Sequence, residues 1–198
     1  MHPLKADTYR SFGRFSWGLV LNGMLLRDTF RVLLTLRCCQ AAQRSPPPMR
    51  WLLLPPARLM HRLTSQIANV DIPWRTQIGA GLALTHARGA MISAGARIGK
   101  NVTIFHGVTL GQRDRIDAEG GRLVGYPVIE DEVWIGPHAI IVGDVTIGKG
   151  SRIAGGAFVF KTVPPYCVVL GNPGEIVKRD CTPDVDNRVD FDSGGETD

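Results

Sequence analysis

A six-residue rhythm constrains this chain more than any other feature. Aliphatic residues fall at Ile72, Ile78 and Leu84, resume at Ile92, Ile98, Ile104 and Leu110, and return at Ile129, Ile135, Ile141, Ile147, Ile153 and Val159. Glycine follows directly at Gly79, Gly99, Gly111, Gly136 and Gly148. A fixed short period held over so many positions signals a solenoid. Six residues cannot enclose a core, so the units must stack as coils of short parallel strands, each sending one aliphatic side chain into a prism. The glycines are expected to supply backbone freedom at the corners. Two interruptions break the register. The chain bulges at Thr85-His86-Ala87-Arg88-Gly89, and an insertion rich in Arg, Asp and Gly runs from Gln112 to Val128. Insertions in a solenoid project as loops, often on the binding side.

Upstream of the repeat the spacing changes. Phe12, Phe15, Leu19, Met24, Phe30, Leu33 and Leu34 recur at helical intervals. Pro46–Pro48 and Pro55-Pro56 are expected to break any single long helix, leaving helices over roughly 6–43 and 57–68. The 198 residues therefore divide into an N-terminal helical region (1–69), a repeat domain (70–179) and a tail (180–198) that is acidic, aperiodic and expected to be disordered.

Charge is unevenly placed. The first 70 residues carry ten bases against Asp7 and Asp28, whereas the tail holds seven acids and one base, Arg188. A basic front end suits an anionic partner such as phosphate groups or a membrane surface. No fold signature supports nucleic acid binding. The four cysteines form no CxxC and no zinc spacing, and no His pair has a ligand spacing with Cys or carboxylate support, so no metal is expected. With no secretory signal visible, a reducing cytoplasm is the expected compartment. The most apolar stretch, Trp17–Leu36, is interrupted by Arg27, Asp28 and Arg31, which excludes a membrane-spanning helix.

Of the five histidines, His2 and His61 read as surface residues outside the repeat. His106 and His138 lie in regular units, and His86 sits where the register breaks. A histidine near neutral pKa is the usual base for removing a hydroxyl proton. The segments from Val70 to Gln112 and from Val133 to Val177 resemble the hexapeptide acyltransferases, specifically the serine O-acetyltransferase branch. The resemblance implies a left-handed parallel β-helix, acetyl-CoA as co-substrate, and sites formed between protomers of a homotrimer, which the N-terminal helices would pair or tether to a membrane. It assigns His86 as general base and Asp71, fifteen residues earlier, as the carboxylate that orients it. His106, in an H-G-V-T-L-G segment, is a second active-site candidate. Gly111, Gly155 and Gly156 would let the backbone approach the pantetheine arm. Arg152, Lys161, Lys178 and Arg179 are candidates for the CoA phosphates.

The family pattern is not kept throughout. Thr85 stands where the serine enzymes carry an acid before the catalytic histidine. Val124-Gly125-Tyr126-Pro127 replaces their D-R-H-P segment, removing the Arg that holds the serine carboxylate. Arg113, Arg115 and Arg122 in the insertion are possible compensations, and Thr85, Arg113 and Tyr126 the acceptor-side candidates. These departures resemble the colanic-acid type of polysaccharide O-acetyltransferase. The expectation is therefore transfer to a sugar hydroxyl, with serine O-acetyltransferase as the alternative and an inert β-helix scaffold behind both. Serine enzymes that dock cysteine synthase end in Ile; the terminal Asp198 leads to the expectation of no such complex.

Overall fold

The structure of the protein, a computed structural model, describes residues 1–116 and 118–191. Four helices precede the repeat. α1 (Pro3–Phe12) starts with proline at its first position, where no N–H is required, and stops at Gly13 in the left-handed region. α2 (Trp17–Leu26) is capped by the Ser16 hydroxyl, which accepts from the Leu19 N–H. α3 (Asp28–Arg44) carries its acid in the first turn and Arg44 in the last, matching the helix dipole. α4 (Pro47–Ala68) opens on two prolines and ends at Asn69, also left-handed.

Pro55 and Pro56 do not break α4, contrary to the sequence expectation. The acceptors they leave without an i+4 N–H are the Trp51 and Leu52 carbonyls, on a turn whose side chains face solvent. Water can satisfy that turn, while the following turns are held against α3 and the prism through buried His61, Thr64 and Ala68. His61 also departs from its surface assignment. Its Nε2 donates to the Ile72 carbonyl at 2.8 Å, and its Nδ1 lies 3.1 Å from the Thr35 hydroxyl.

The repeat forms a three-sided prism. The first coil is β1 (Gln77–Ile78), β2 (Ala83–Leu84) and β3 (Met91–Ile92). The second is β4 (Arg97–Ile98), β5 (Thr103–Ile104) and β6 (Thr109–Gly111). A two-stranded hairpin, β7 (Arg113–Ile116) and β8 (Arg122–Gly125), then projects from the prism. The third coil is β9 (Val128–Ile129), β10 (Trp134–Ile135) and β11 (Ile140–Val142); the fourth is β12 (Thr146–Ile147), β13 (Arg152–Ile153) and β14 (Phe158–Val159). β15 (Val168–Leu170) continues one side, and β16 (Glu175–Lys178) folds back antiparallel on it. Parallel pairing stacks β1-β4-β9-β12 as the first sheet, β2-β5-β10-β13-β15 as the second and β3-β6-β11-β14 as the third.

The aliphatic register places its residues as the period demands. Ile98 pairs with Ile129, Ile104 with Ile135 and Leu110 with Ile141, so the repeat residues form vertical ladders in one core. The glycines after the strands serve a different purpose from the one expected. None of Gly79, Gly99, Gly111, Gly136 and Gly148 has positive φ. What they provide is space: a Cβ on Gly79 would lie 2.6 Å from the Gly99 backbone, and one on Gly136 would lie 2.7 Å from the Gly155 nitrogen. The left-handed corner positions come later in the units, at Gly107 and Gly156 for example.

The edge between the first and second sheets is capped by the helices. Asp7, fully buried, accepts from Arg37 at 2.7 Å and from the Gly81 and Leu82 N–H groups. Arg37 also donates to the Ile78 and Gly79 carbonyls. The tail closes the same edge, correcting the expectation of disorder as far as residue 191. The Asn101 amide exchanges hydrogen bonds with the Val189 backbone, Arg188 donates twice to Glu132, and Cys181 and Val189 are buried. Residues 192–198, with the terminal Asp198, lie outside the described part of the chain.

Candidate active site

The register break and the regular corners share one edge, between the second and third sheets. There the chain turns at 85–90, 105–108, 136–139 and 154–157. The turns are stitched together by backbone hydrogen bonds: Gly107 N–H to the Arg88 carbonyl, His138 N–H to the His106 carbonyl and Gly156 N–H to the Pro137 carbonyl. His86, His106, His138, Gly155 and Gly156 therefore lie along one line. The His106 and His138 rings meet edge to face, with centroids 5.0 Å apart. His138 occupies a left-handed corner, φ 58°, where the neighbouring coils carry Gly107 and Gly156. A Cβ there is strained, and the strain is accepted to hold a ring against the coil above.

His86 is exposed and also left-handed, φ 50°. It lines a cleft of about 610 Å³ between the prism edge and the helices, together with Thr85, Arg88, Arg10, Arg27, Asp28 and Asp186. Arg88 pairs with the Asp28 carboxylate, whose other oxygen lies 3.2 Å from Arg31. Arg27 stacks on Phe12 and donates to the Ser11 carbonyl. Arg10 is buried and donates to the Gly81 carbonyl and to Thr103. Burial lowers its pKa to about 10, against the opposing pull of Asp186 and Asp7, so it stays cationic at neutral pH. The cleft thus combines an exposed imidazole with three guanidinium groups and two carboxylates.

The other sequence candidates are dispersed over the single chain. Asp71 bridges Met91 through its backbone, just above the His86 corner. Its carboxylate, however, lines the neighbouring cleft under α4 with His61, and no hydrogen bond joins it to His86 among the described residues. Gly111, Arg113, Tyr126 and Lys161 lie at the edge between the third and first sheets. There Tyr126 donates to the Gln112 side chain at 3.1 Å and packs against Gly95, while Arg113 and Lys161 flank Phe160. Arg122 pairs with Asp114 across the hairpin. Arg152 is on the outer face of the second sheet, stacked on Trp134 and paired with Asp184 at 2.8 Å. Lys178 and Arg179 are at and beyond the end of β16, on that same sheet. Within one chain the phosphate candidates do not converge: the period places each outward but does not choose the side.

Sequence reasoning missed Arg10, Arg27 and Asp28. They sit on or beside helices with no motif of their own, and only the packing of α1 and α3 against the prism brings them to His86.

Comparison with known proteins bears on this arrangement. The family described as bacterial transferase hexapeptide (six repeats) matches residues 126–161. The serine acetyltransferase of Mycobacterium tuberculosis is 40% identical over 131 residues, covering 64% of this chain and 55% of that protein. Among solved structures, the serine acetyltransferase of Brucella abortus strain S19 in complex with coenzyme A superposes with a TM-score of 0.70 at 29% identity, covering 91% of this chain and 69% of that one. The Neisseria gonorrhoeae serine acetyltransferase in complex with serine gives 0.67 at 31% identity, covering 88% and 67%. The chain thus spans little more than half of the Mycobacterium protein. These findings overturn the expected polysaccharide acceptor, because both the relatives and the structural neighbours are serine acetyltransferases. Thr85, Gly125 and Tyr126 remove one way of holding an amino acid and do not exclude another.

Proposed function

We propose, from the premise that this chain belongs to the hexapeptide-repeat acyltransferase superfamily, that it transfers the acetyl group of acetyl-CoA to the hydroxyl of L-serine. The observation that carries this reading is His86, exposed in a charged cleft at the corner where two extra residues break the repeat register. Its imidazole takes the serine hydroxyl proton as that oxygen attacks the thioester carbon. The tetrahedral oxyanion collapses, the carbon–sulfur bond breaks, and the imidazolium returns the proton to the departing CoA thiolate. Backbone N–H groups near Gly111 are suited to the oxyanion. Asp71 is the carboxylate that fixes the imidazole tautomer, a contact that catalytic sites commonly tighten only with substrate bound.

Assembly follows from the division of candidates between edges. His86, His106, Gly155 and Gly156 belong to one edge and Gly111, Tyr126 and Lys161 to another. A trimer of prisms, coiled left-handed, would set the first edge of each protomer against the second edge of its neighbour. Acetyl-CoA would lie in the groove between them. The expected absence of a cysteine synthase complex fits poorly with the serine acetyltransferase reading. Membrane contact is assigned to α4, whose Leu52, Leu59, Leu63 and Ile67 form an exposed apolar stripe beside Arg50, Arg58 and Arg62, with no acid in the helix.

The direct test is CoA release from acetyl-CoA with L-serine as sole acceptor. Release by the wild type is expected, with a loss of about 10²–10⁴-fold in His86→Ala. Absence of release from protein that binds acetyl-CoA overturns the reading.

A further inference from the structure

Serine is a zwitterion, and a site that takes it needs a cation for its carboxylate and an anion for its ammonium group. The structure offers both beside the proposed base. Arg88 stands two residues beyond His86 on the same broken corner, and Asp28 opens α3 across the cleft. In the structure they pair with one another. We propose that Arg88 and Asp28 are the acceptor clamp: the incoming α-amino acid separates the pair, its carboxylate taking Arg88 and its ammonium taking Asp28. This inference rests on the serine reading and names the groups that give it substrate specificity.

Three features favour the assignment. First, Asp28 does not depend on Arg88 for its position. Arg31, one turn along α3, holds its other oxygen, so the carboxylate stays in place when Arg88 moves to the substrate. Second, Arg88 is free to move: its side chain is 62% exposed, and Asp28 is its one ion-pair partner among the described residues. Third, the cleft has unused capacity for an anion. Arg10, Arg27 and Arg88 line it against only two carboxylates, Asp28 and Asp186. The family's usual Arg is absent, being replaced within Val124-Gly125-Tyr126-Pro127, and Tyr126 points its hydroxyl at Gln112 on another edge. Within the chain, Arg88 is the exposed cation closest in sequence to the base and shares its cleft.

Steady-state kinetics on the full chain test this with three acceptors: L-serine, L-serinamide, which lacks the carboxylate charge, and 3-hydroxypropanoate, which lacks the ammonium. Arg88→Gln is expected to raise KM for L-serine by roughly 10- to 100-fold, the loss of one charge-assisted hydrogen-bonded pair, with kcat changed far less. The same variant is expected to leave kcat/KM for L-serinamide within about twofold of wild type. Asp28→Asn, which keeps the size and shape of the side chain at the start of α3, is expected to discriminate in the opposite sense, sparing 3-hydroxypropanoate. Full serine activity with an unchanged KM in Arg88→Gln overturns the clamp and leaves the serine reading standing. A wild-type protein that binds acetyl-CoA yet acetylates no serine overturns both. An equal loss on all three acceptors assigns Arg88 to the shape of the corner and refutes a charge-reading role.

Discussion

His61 shows how much a single residue's surroundings decide. Burial lowers its imidazole pKa, outweighing the Ile72 carbonyl hydrogen bond and the Asp71 carboxylate, which raise it. The unfolded chain, with the ordinary value of 6.5, therefore takes up a proton that the native state resists. Stability is full above that value and falls as pH drops through it. Thermal unfolding is expected to move to lower temperature between about pH 7 and about pH 5, and His61→Gln is expected to flatten that slope. An unaltered slope in the variant would place the effect on another group. The Asp7–Arg37 pair offers a second residue-scale outcome. Arg37→Ala leaves a fully buried carboxylate without its cation, and a loss of roughly 3–5 kcal/mol in chemical denaturation is expected. A loss below about 1 kcal/mol, the scale of a surface pair, would mean that water reaches Asp7. Neither environment was visible in the sequence: His61 read as a surface histidine, and Asp7 as one of two acids in a basic segment.

At the scale of the elements, strands were legible and corners and helices less so. A two-residue strand has no cooperativity of its own, yet the repeat identified all twelve core strands of the four coils, because each places one aliphatic residue where the next coil needs it. Ile135→Ala, at a fully buried ladder position, is expected to cost about 2–5 kcal/mol. Gly136→Ala is expected to cost about 1–3 kcal/mol by forcing apart two coils that touch through backbone, not by strain at positive φ. A neutral result there, measured by thermal shift, would contradict the spacing role. Helix α4 was misread because the rule against internal proline weighs one lost hydrogen bond. It does not see that the freed carbonyls face water while later turns are anchored. Its apolar stripe yields a third outcome: co-sedimentation with anionic vesicles at low salt, weakened by Arg58→Glu with Arg62→Glu. No sedimentation, or binding indifferent to lipid charge, removes the membrane assignment.

For the molecule as a whole, activity is expected to follow assembly. A substitution at the third-to-first edge, such as Lys161→Glu, and His86→Ala are each expected to inactivate the proposed homotrimer. Mixing the two variants under exchange is expected to restore part of the activity, since one groove in a mixed trimer pairs two intact edges. Failure to complement would place the whole site within one chain. The sequence alone determined which residues face inward and where the winding is interrupted, because a period of six leaves each side chain only one orientation relative to the core. It also singled out His86, since a break in a strict period is itself a local signal. Which edge each outward residue occupies, and what lies opposite it, only the tertiary structure decided. Asp28 and Arg88 are 60 residues apart. They meet because α3 packs on a surface that exists only once the prism is wound.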